Sequence, residues 1–125
     1  MEIDKTVKKG ENNMENQQTS KFLVIYQDPN YDDTFTPELS NELTKQHVEH
    51  CSRLDSEGVL FMCGPLVGHE KGMFMLNAKT YEEAENYVKR DPFIINNCYK
   101  TYVIYEIEEA NAGNNYLLEK YLMPL

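Results

Sequence analysis

Two histidines and one aspartate stand where oily side chains are expected, and these residue types are suited to moving a proton. His47 and His50 lie in the run PELSNELTKQHVEHCSRLDSE, and Asp91 closes YEEAENYVKRDP. On a helical wheel of about 100° per residue, Leu39, Leu43, His47, His50 and Leu54 share an arc of roughly 80°, with Cys51 at its edge. Tyr81, Ala84, Val88 and Asp91 keep the same spacing in the second helical run, so a carboxylate ends a buried stripe. A carboxylate bonded to one ring nitrogen of a histidine fixes the tautomer, raises the basicity of the ring and frees the other nitrogen to take a proton. Spacing alone leaves a plainer reading open. An Asp before Pro commonly accepts local backbone N–H groups, and a core histidine is often satisfied by a carbonyl.

Other chemistries find less support. His47 and His50 stand at i, i+3, but there is no H-E-x-x-H and no evident third ligand, so no metal site is expected. His69, beside Glu70 and Lys71, reads as a solvated loop residue. Cys51, Cys63 and Cys98 are an odd set without C-x-x-C spacing, each in or next to an apolar segment; they read as buried free thiols in a reducing compartment. The Met and Phe residues of VLFMCGP and GMFMLNA read as core rather than a cofactor box, and no cofactor is expected.

The elements that must position these groups follow from pattern. KFLVIYQDP is a β-branched and aromatic run closed by Asp28 and Pro29, a strand signature. Pro37 to Glu57 is rich in helix formers and stops at Gly58. VLFMCGP and GMFMLNA read as a hairpin across a loop holding Gly68 and Gly72. Thr80 and Glu83 form a T-x-x-E capping box that opens a second helix, which Pro92 halts or kinks. A last strand runs through CYKTYVIYEI, and a polar joint, NAGNN, leads to an amphipathic tail, YLLEKYLMPL. The order βαββαβ predicts an α+β, ferredoxin-like sandwich with both helices on one face of the sheet. That arrangement would bring an imidazole of the first helix to Asp91.

Three regions result: a polar arm over residues 1–20, a core domain over 21–108 and the tail over 109–125. Phe22, Val24 and Tyr26 lie on one side of the first strand and Leu23 and Ile25 on the other; Tyr99, Val103, Tyr105 and Ile107 oppose Tyr102 and Ile104 in the last. Both sheet faces are therefore apolar, which predicts a homodimer packed sheet on sheet. The alternative is that the tail folds back over the open face of its own subunit; about ten residues make only a few helical turns, so the tail is expected to wrap the neighbouring subunit instead. A chain of 125 residues with a formal charge of −9 fits one domain and opposes phosphate-neutralising partners, so neither nucleic acid nor an anionic membrane surface is expected. The opening residues lack the apolar stretch of a signal peptide and no run approaches a membrane span, which predicts a cytoplasmic protein.

HVEHCSRLDSEGVLFMCGP, with its histidine upstream of a glycine and a strand ending in Gly-Pro, resembles the YciI (YCII-related) proteins. So do YEEAENYVKRDPFIINNCYK, in which Asp-Pro-aromatic follows the second helix, and the opening strand KFLVIYQD. The resemblance spans about residues 21 to 108. It implies a dimeric α+β barrel of ferredoxin-like subunits similar to muconolactone isomerase, with a His–Asp pair in a pocket. His47 then takes the place of the family histidine and Asp91 that of the family acid, while His50 has no counterpart and is read as structural. Gly64 and Pro65 match and would shape the strand end beside the pocket. Two departures stand out. An Arg often precedes the histidine, where this chain has LTKQH and only Lys45 to replace it. An Ala-Gly step after Asp-Pro-aromatic is here Asn96-Asn97, of which Asn97 can still take the left-handed conformation.

The function that follows is a cofactor-independent lyase or isomerase, dehalogenase-like, acting on a small lactone or enol. His47 would abstract a proton next to a carbonyl, Asp91 would orient the imidazole, and Tyr26, Met62 and Phe93 would join Gly64 and Pro65 in lining the substrate pocket. The alternative is a non-catalytic dimeric module that binds a small molecule, with the same two residues as structural hydrogen-bonding partners. A haem or redox barrel would need an axial ligand or redox site that no residue supplies.

Overall fold

The computed structural model describes residues 18–125, so the arm expected over residues 1–20 lies almost wholly outside the described residues. Alternating β-branched and aromatic residues form β1 (Ser20–Pro29), with Phe22, Val24 and Tyr26 buried and the side chains between them half exposed. α1 (Pro37–Ser56) starts where the Thr36 side chain accepts the Leu39 N–H and Pro37 supplies a preset φ. It ends at Glu57, and Gly58, at φ +75°, turns the chain toward β2 (Leu60–Pro65). β3 (Gly72–Ala78) returns antiparallel.

Thr80 caps α2 (Tyr81–Lys89) by accepting the Glu83 N–H at 3.0 Å. The expected capping box is only half made, because the Glu83 carboxylate accepts from the Lys79 N–H at 2.7 Å instead of reaching the Thr80 N–H. Pro92 does more than end a helix: with Asp91 as N-cap it opens the single turn α3 (Pro92–Ile95). β4 (Tyr99–Ile107) completes the sheet, and a short 3-10 segment (Ala112–Leu117) leads to α4 (Leu118–Tyr121).

The sheet is antiparallel throughout, in the order β2-β3-β1-β4, and the fold is α+β with ferredoxin-like βαββαβ order. Its core lies between one sheet face and the helices. Phe22, Val24, Tyr26, Phe74, Leu76 and Ile104 come from the strands, Leu54, Ala84 and Val88 from the helices. The opposite face carries Leu23, Ile25, Met75, Val103 and Tyr105, and the C-terminal segment does not cover it. That segment is tied instead to the end of β4, where Lys120 and Tyr121 both bond Glu108. Tyr116, Leu118, Tyr121 and Leu122 are left exposed.

The helical stripes are shorter than their wheels. Leu39 is 40% exposed and Tyr81 49%, because each sits in the first turn of its helix, outside the packed layer. Tyr99 also departs from its expected face. Asp28 takes φ +57° and leaves the β1–β4 ladder without its own pair between Gln27↔Thr101 and Pro29↔Tyr99, with the register unchanged, and the Tyr99 ring lies 5.5 Å from that of Tyr26 on the helix side.

Candidate active site

The stop between α2 and α3 builds the acid. As N-cap of α3, Asp91 presents Oδ1 to the Phe93 N–H at 2.9 Å, and its side chain is fully buried. From β1, the Tyr26 hydroxyl donates to Oδ2 at 2.8 Å. From α1, Nδ1 of His47 lies 3.0 Å from Oδ1 and 2.9 Å from Oδ2. The two readings of Asp91 therefore hold together, since one carboxylate caps the local backbone and also meets an imidazole. Three donors converge on it, so the buried charge-bearing group is fully partnered.

A carboxylate that already receives a hydroxyl and an amide accepts from the ring as well, which places the proton on Nδ1 and the lone pair on Nε2. The ring is held flat against Phe93, centroid to centroid 4.0 Å at 10°, and meets Phe74 edge-on at 5.6 Å. Nε2 points away from the acid and has Cys51 Sγ at 3.5 Å. The His47 side chain keeps 17% of its surface exposed, while the acid behind it has none. Burial and then the Asp91 charge push the Tyr26 phenol far above its ordinary range, so it remains a donor.

His50, one turn along the same stripe, has the plainer fate. It is buried at 4% exposure. Burial lowers its pKa from the usual histidine value, with Arg53 and His47 adding to the effect and Asp91 opposing it. Its expected structural role agrees with this placement.

A hollow of about 160 Å³ opens beside His47. Tyr26, His47, Gly64, Pro65 and Phe93, all named from sequence, line it, and so do Cys63, Gly72, Met73, Phe74 and Tyr99. Met62 does not: it pairs with Met75, points to the open sheet face and is 52% exposed. A bulge between Leu60 and Met62 shifts the register of β2 by one residue and sends Cys63 inward, opposite Phe74. Of the missed lining residues, Cys63 needed that register, which the hairpin sequence does not carry. Lys45 is exposed and absent from the wall, so the hollow has no cationic side chain. Asn97 does adopt the left-handed backbone, at φ +58°, and closes the turn into β4. Cys63 is exposed rather than buried, and Cys51 and Cys98 are half buried.

A larger cleft, about 530 Å³, lies between the start of β1 and the C-terminal segment. Its wall holds Lys21, Lys120 and glutamates 106, 108 and 109, with the lysines paired to Glu109 and Glu108. It has no imidazole and no thiol in its wall, whereas the smaller hollow has both. No helix among the described residues is long and apolar enough to cross a membrane, and no group of three or more metal-ligating side chains occurs among them.

An α+β sandwich of this order with a histidine and a buried acid meeting beside an aromatic hollow belongs to the class of small ferredoxin-like domains with a candidate acid–base site. The chain is a member of the YCII-related domain family, which matches residues 20–108. Among solved structures it is similar to 5-chloro-2-hydroxyhydroquinone dehydrochlorinase (TftG) from Burkholderia phenoliruptrix AC1100, in complex with 2,5-dihydroxybenzoquinone. The TM-score is 0.55 at 13% identity, covering 70% of this chain and 94% of that one, so the likeness is one of fold. No curated protein matches.

Proposed function

We propose that this protein is a cofactor-independent lyase or isomerase in which His47 is the general base and Asp91 its orienting acid. One observation carries the reading: a buried, fully partnered carboxylate holds Nδ1 of a ring that borders an uncharged aromatic hollow. In the step envisaged, Nε2 takes a proton from the carbon next to a carbonyl. The C–H electrons form a C=C bond, and a leaving group such as halide departs with its own pair, or a second proton transfer completes an isomerisation. Asp91 stabilises the imidazolium that forms.

The hollow also restricts the substrate. A dry cavity of about 150 Å³ accepts a benzene ring, so the space beside His47 suits one small ring. Stacking surfaces from Tyr26, Phe74, Phe93 and Tyr99 favour a flat one, and a wall without Lys or Arg favours an uncharged lactone or enol over a carboxylate. The 2,5-dihydroxybenzoquinone held by TftG is itself a single flat ring. Three free thiols fit a reducing compartment, in keeping with a cytoplasmic setting.

We also propose that the open sheet face pairs with a second copy. Leu23, Ile25, Met75, Val103 and Tyr105 form an apolar surface that its own helices and tail leave uncovered, and the exposed Met62 extends it. Leu23→Lys is expected to convert the protein to monomers in sedimentation experiments; an unchanged mass would remove this interface.

The contact between Cys51 and Nε2 supports the other reading, a non-catalytic binding module, because that nitrogen already has a weak partner. Proton exchange separates the two. A panel of small lactones and hydroxyquinones incubated in deuterated water should show enzyme-dependent exchange or elimination that His47→Ala and Asp91→Asn abolish. Tight binding of a panel member without exchange would establish the module instead.

A further inference from the structure

Proton removal by His47 makes a demand that neither it nor Asp91 meets. Taking a proton from the carbon beside a carbonyl moves charge on to the carbonyl oxygen, and in an uncharged apolar hollow that oxygen needs a hydrogen-bond donor already in place. The polar side chains of the wall are few. The Tyr26 hydroxyl is committed to Asp91, His47 bonds the same acid through Nδ1, and the Cys63 thiol is only a weak donor. Tyr99 remains: it lines the hollow, half-buried, and its hydroxyl has no hydrogen-bond partner among the described residues.

Its placement suits the task. Tyr99 starts on β4, two strands from β3 in the order β2-β3-β1-β4, and its ring lies against that of Tyr26 on the strand between, at 5.5 Å and tilted by 47°. The hydroxyl arrives beside Gly72 at the start of β3, where a β-carbon would stand 3.8 Å from its oxygen. Phe93 adjoins both groups, with its ring stacked on the imidazole at 4.0 Å and edge-on to the Tyr99 ring at 6.1 Å. Phenol and imidazole thus border one hollow of about 160 Å³, which has room for a single small ring, so a ring that fills it meets both.

We propose that the Tyr99 hydroxyl holds the carbonyl oxygen of the substrate and stabilises the enolate that forms when His47 takes the proton. The assignment rests on His47 acting as the general base and supplies the polar half of that step. As the C–H bond breaks, its electron pair forms C=C and the carbonyl π pair moves to oxygen. The Tyr99 O–H bonds that oxygen more strongly and keeps its own proton. In an elimination the oxygen pair then re-forms C=O, the C=C pair moves toward the neighbouring carbon, and the leaving group departs with the pair of its bond. Burial, with Cys98 and Asp91 adding to it, raises the Tyr99 pKa from the ordinary phenol value of 10.0, so the group remains a donor. The substrate class narrows to rings that carry an oxygen next to the carbon losing its proton.

Tyr99→Phe deletes the hydroxyl and keeps the ring, so the packing against Tyr26 and Phe93 is retained. Two probes read the donor directly in the full chain: p-nitrophenolate, whose oxygen carries the charge of an enolate, and p-nitrotoluene, which has a methyl group in its place. Wild type should bind the phenolate roughly tenfold to a hundredfold more tightly than the variant does, with nitrotoluene bound equally by both. On any lactone or hydroxyquinone that is turned over, the variant should lose about 10²–10³-fold in kcat with KM within a few-fold. Equal phenolate affinities, or a wild type that does not bind the phenolate, would overturn the donor whatever His47 does, and so would a rise in KM alone. A phenolate preference that depends on Tyr99 in a protein without turnover would keep Tyr99 as the oxygen donor and remove only the enzymatic reading.

Discussion

His47 and His50 stand three positions apart on α1, and the two rings share one stripe of the helix, yet they meet different surroundings. His50 is sealed in the core at 4% exposure. His47 lies where α3 begins, at the edge of the packed layer, and bonds a carboxylate that Tyr26 and the Phe93 amide hold in place. The difference lies in the partner and the border. Solid packing leaves a histidine with nothing further to do, whereas a fixed acid behind a ring that borders a hollow leaves Nε2 with only the weak Cys51 thiol beside it. Turning the chain back after α2 at Asp91-Pro92 is what supplies that acid.

The largest expected effect separates the two rings by activity. His47→Ala or Asp91→Asn should lower turnover of a ring substrate by about 10²–10⁴-fold, while His50→Gln, a change outside the wall of the hollow, should leave turnover within a few-fold. Equal losses from both positions would erase the contrast. Stability should rank them in the opposite order. His50→Ala empties a buried site, at a cost of about 2–4 kcal/mol in urea denaturation. His47→Ala borders solvent and should cost less.

A smaller effect sharpens the account of the acid. Tyr26→Phe removes one of the three donors to Asp91 without changing the packed ring, and a cost of about 1–2 kcal/mol is expected from the partly unpaired oxygen. With one donor lost, the carboxylate is held less firmly, so the Nδ1–H tautomer of His47, read from ring ¹⁵N shifts, should become less dominant. An unchanged tautomer would show that His47 needs no help from β1.

Acid should expose His50 next. Its folded-state pKa is lowered by burial, so the unfolded chain binds the proton first as pH falls through the ordinary histidine value of 6.5. The stability due to the neutral buried ring is complete above that value and is lost progressively below it, toward the lower folded pKa. One proton sets a slope of at most about 1.4 kcal/mol per pH unit. Comparing thermal midpoints of wild type and His50→Gln between pH 7 and 5 should reveal a decline that the variant lacks. Parallel curves would mean that the ring titrates normally.

Much of this arrangement was legible in the sequence because its signals were local. Periodicity placed His47, His50 and Asp91 on inward stripes, Gly58 and Pro92 marked real ends, and Asn97 took the left-handed turn its side chain tolerates. Pairing register was not local. The bulge before Met62 exchanged that residue for Cys63 at the hollow, and the left-handed Asp28 accompanied Tyr99 to the unexpected side. Nor was the left-handed run Asn115, Tyr116 and Leu117 foreseeable, since no glycine marks it. The site's polar pair could be read one helix at a time, whereas its wall is made by strands agreeing on a register.

Phe93 offers the smallest test, and it addresses why the ring of His47 is held and not merely bonded. Its amide caps onto Asp91 while its side chain stacks on the imidazole, so one residue fixes both members of the pair. Phe93→Leu leaves the amide in place and deletes only the stack, which is worth about 0.5–1.5 kcal/mol beyond area burial. Stability should fall by about that amount. The hydrogen bond to Asp91 then acts as a single pivot, about which the imidazole can swing, so proton transfer should suffer in kcat more than in KM. If KM alone rises, Phe93 serves as a wall for the ligand and the acid by itself is sufficient to aim the base.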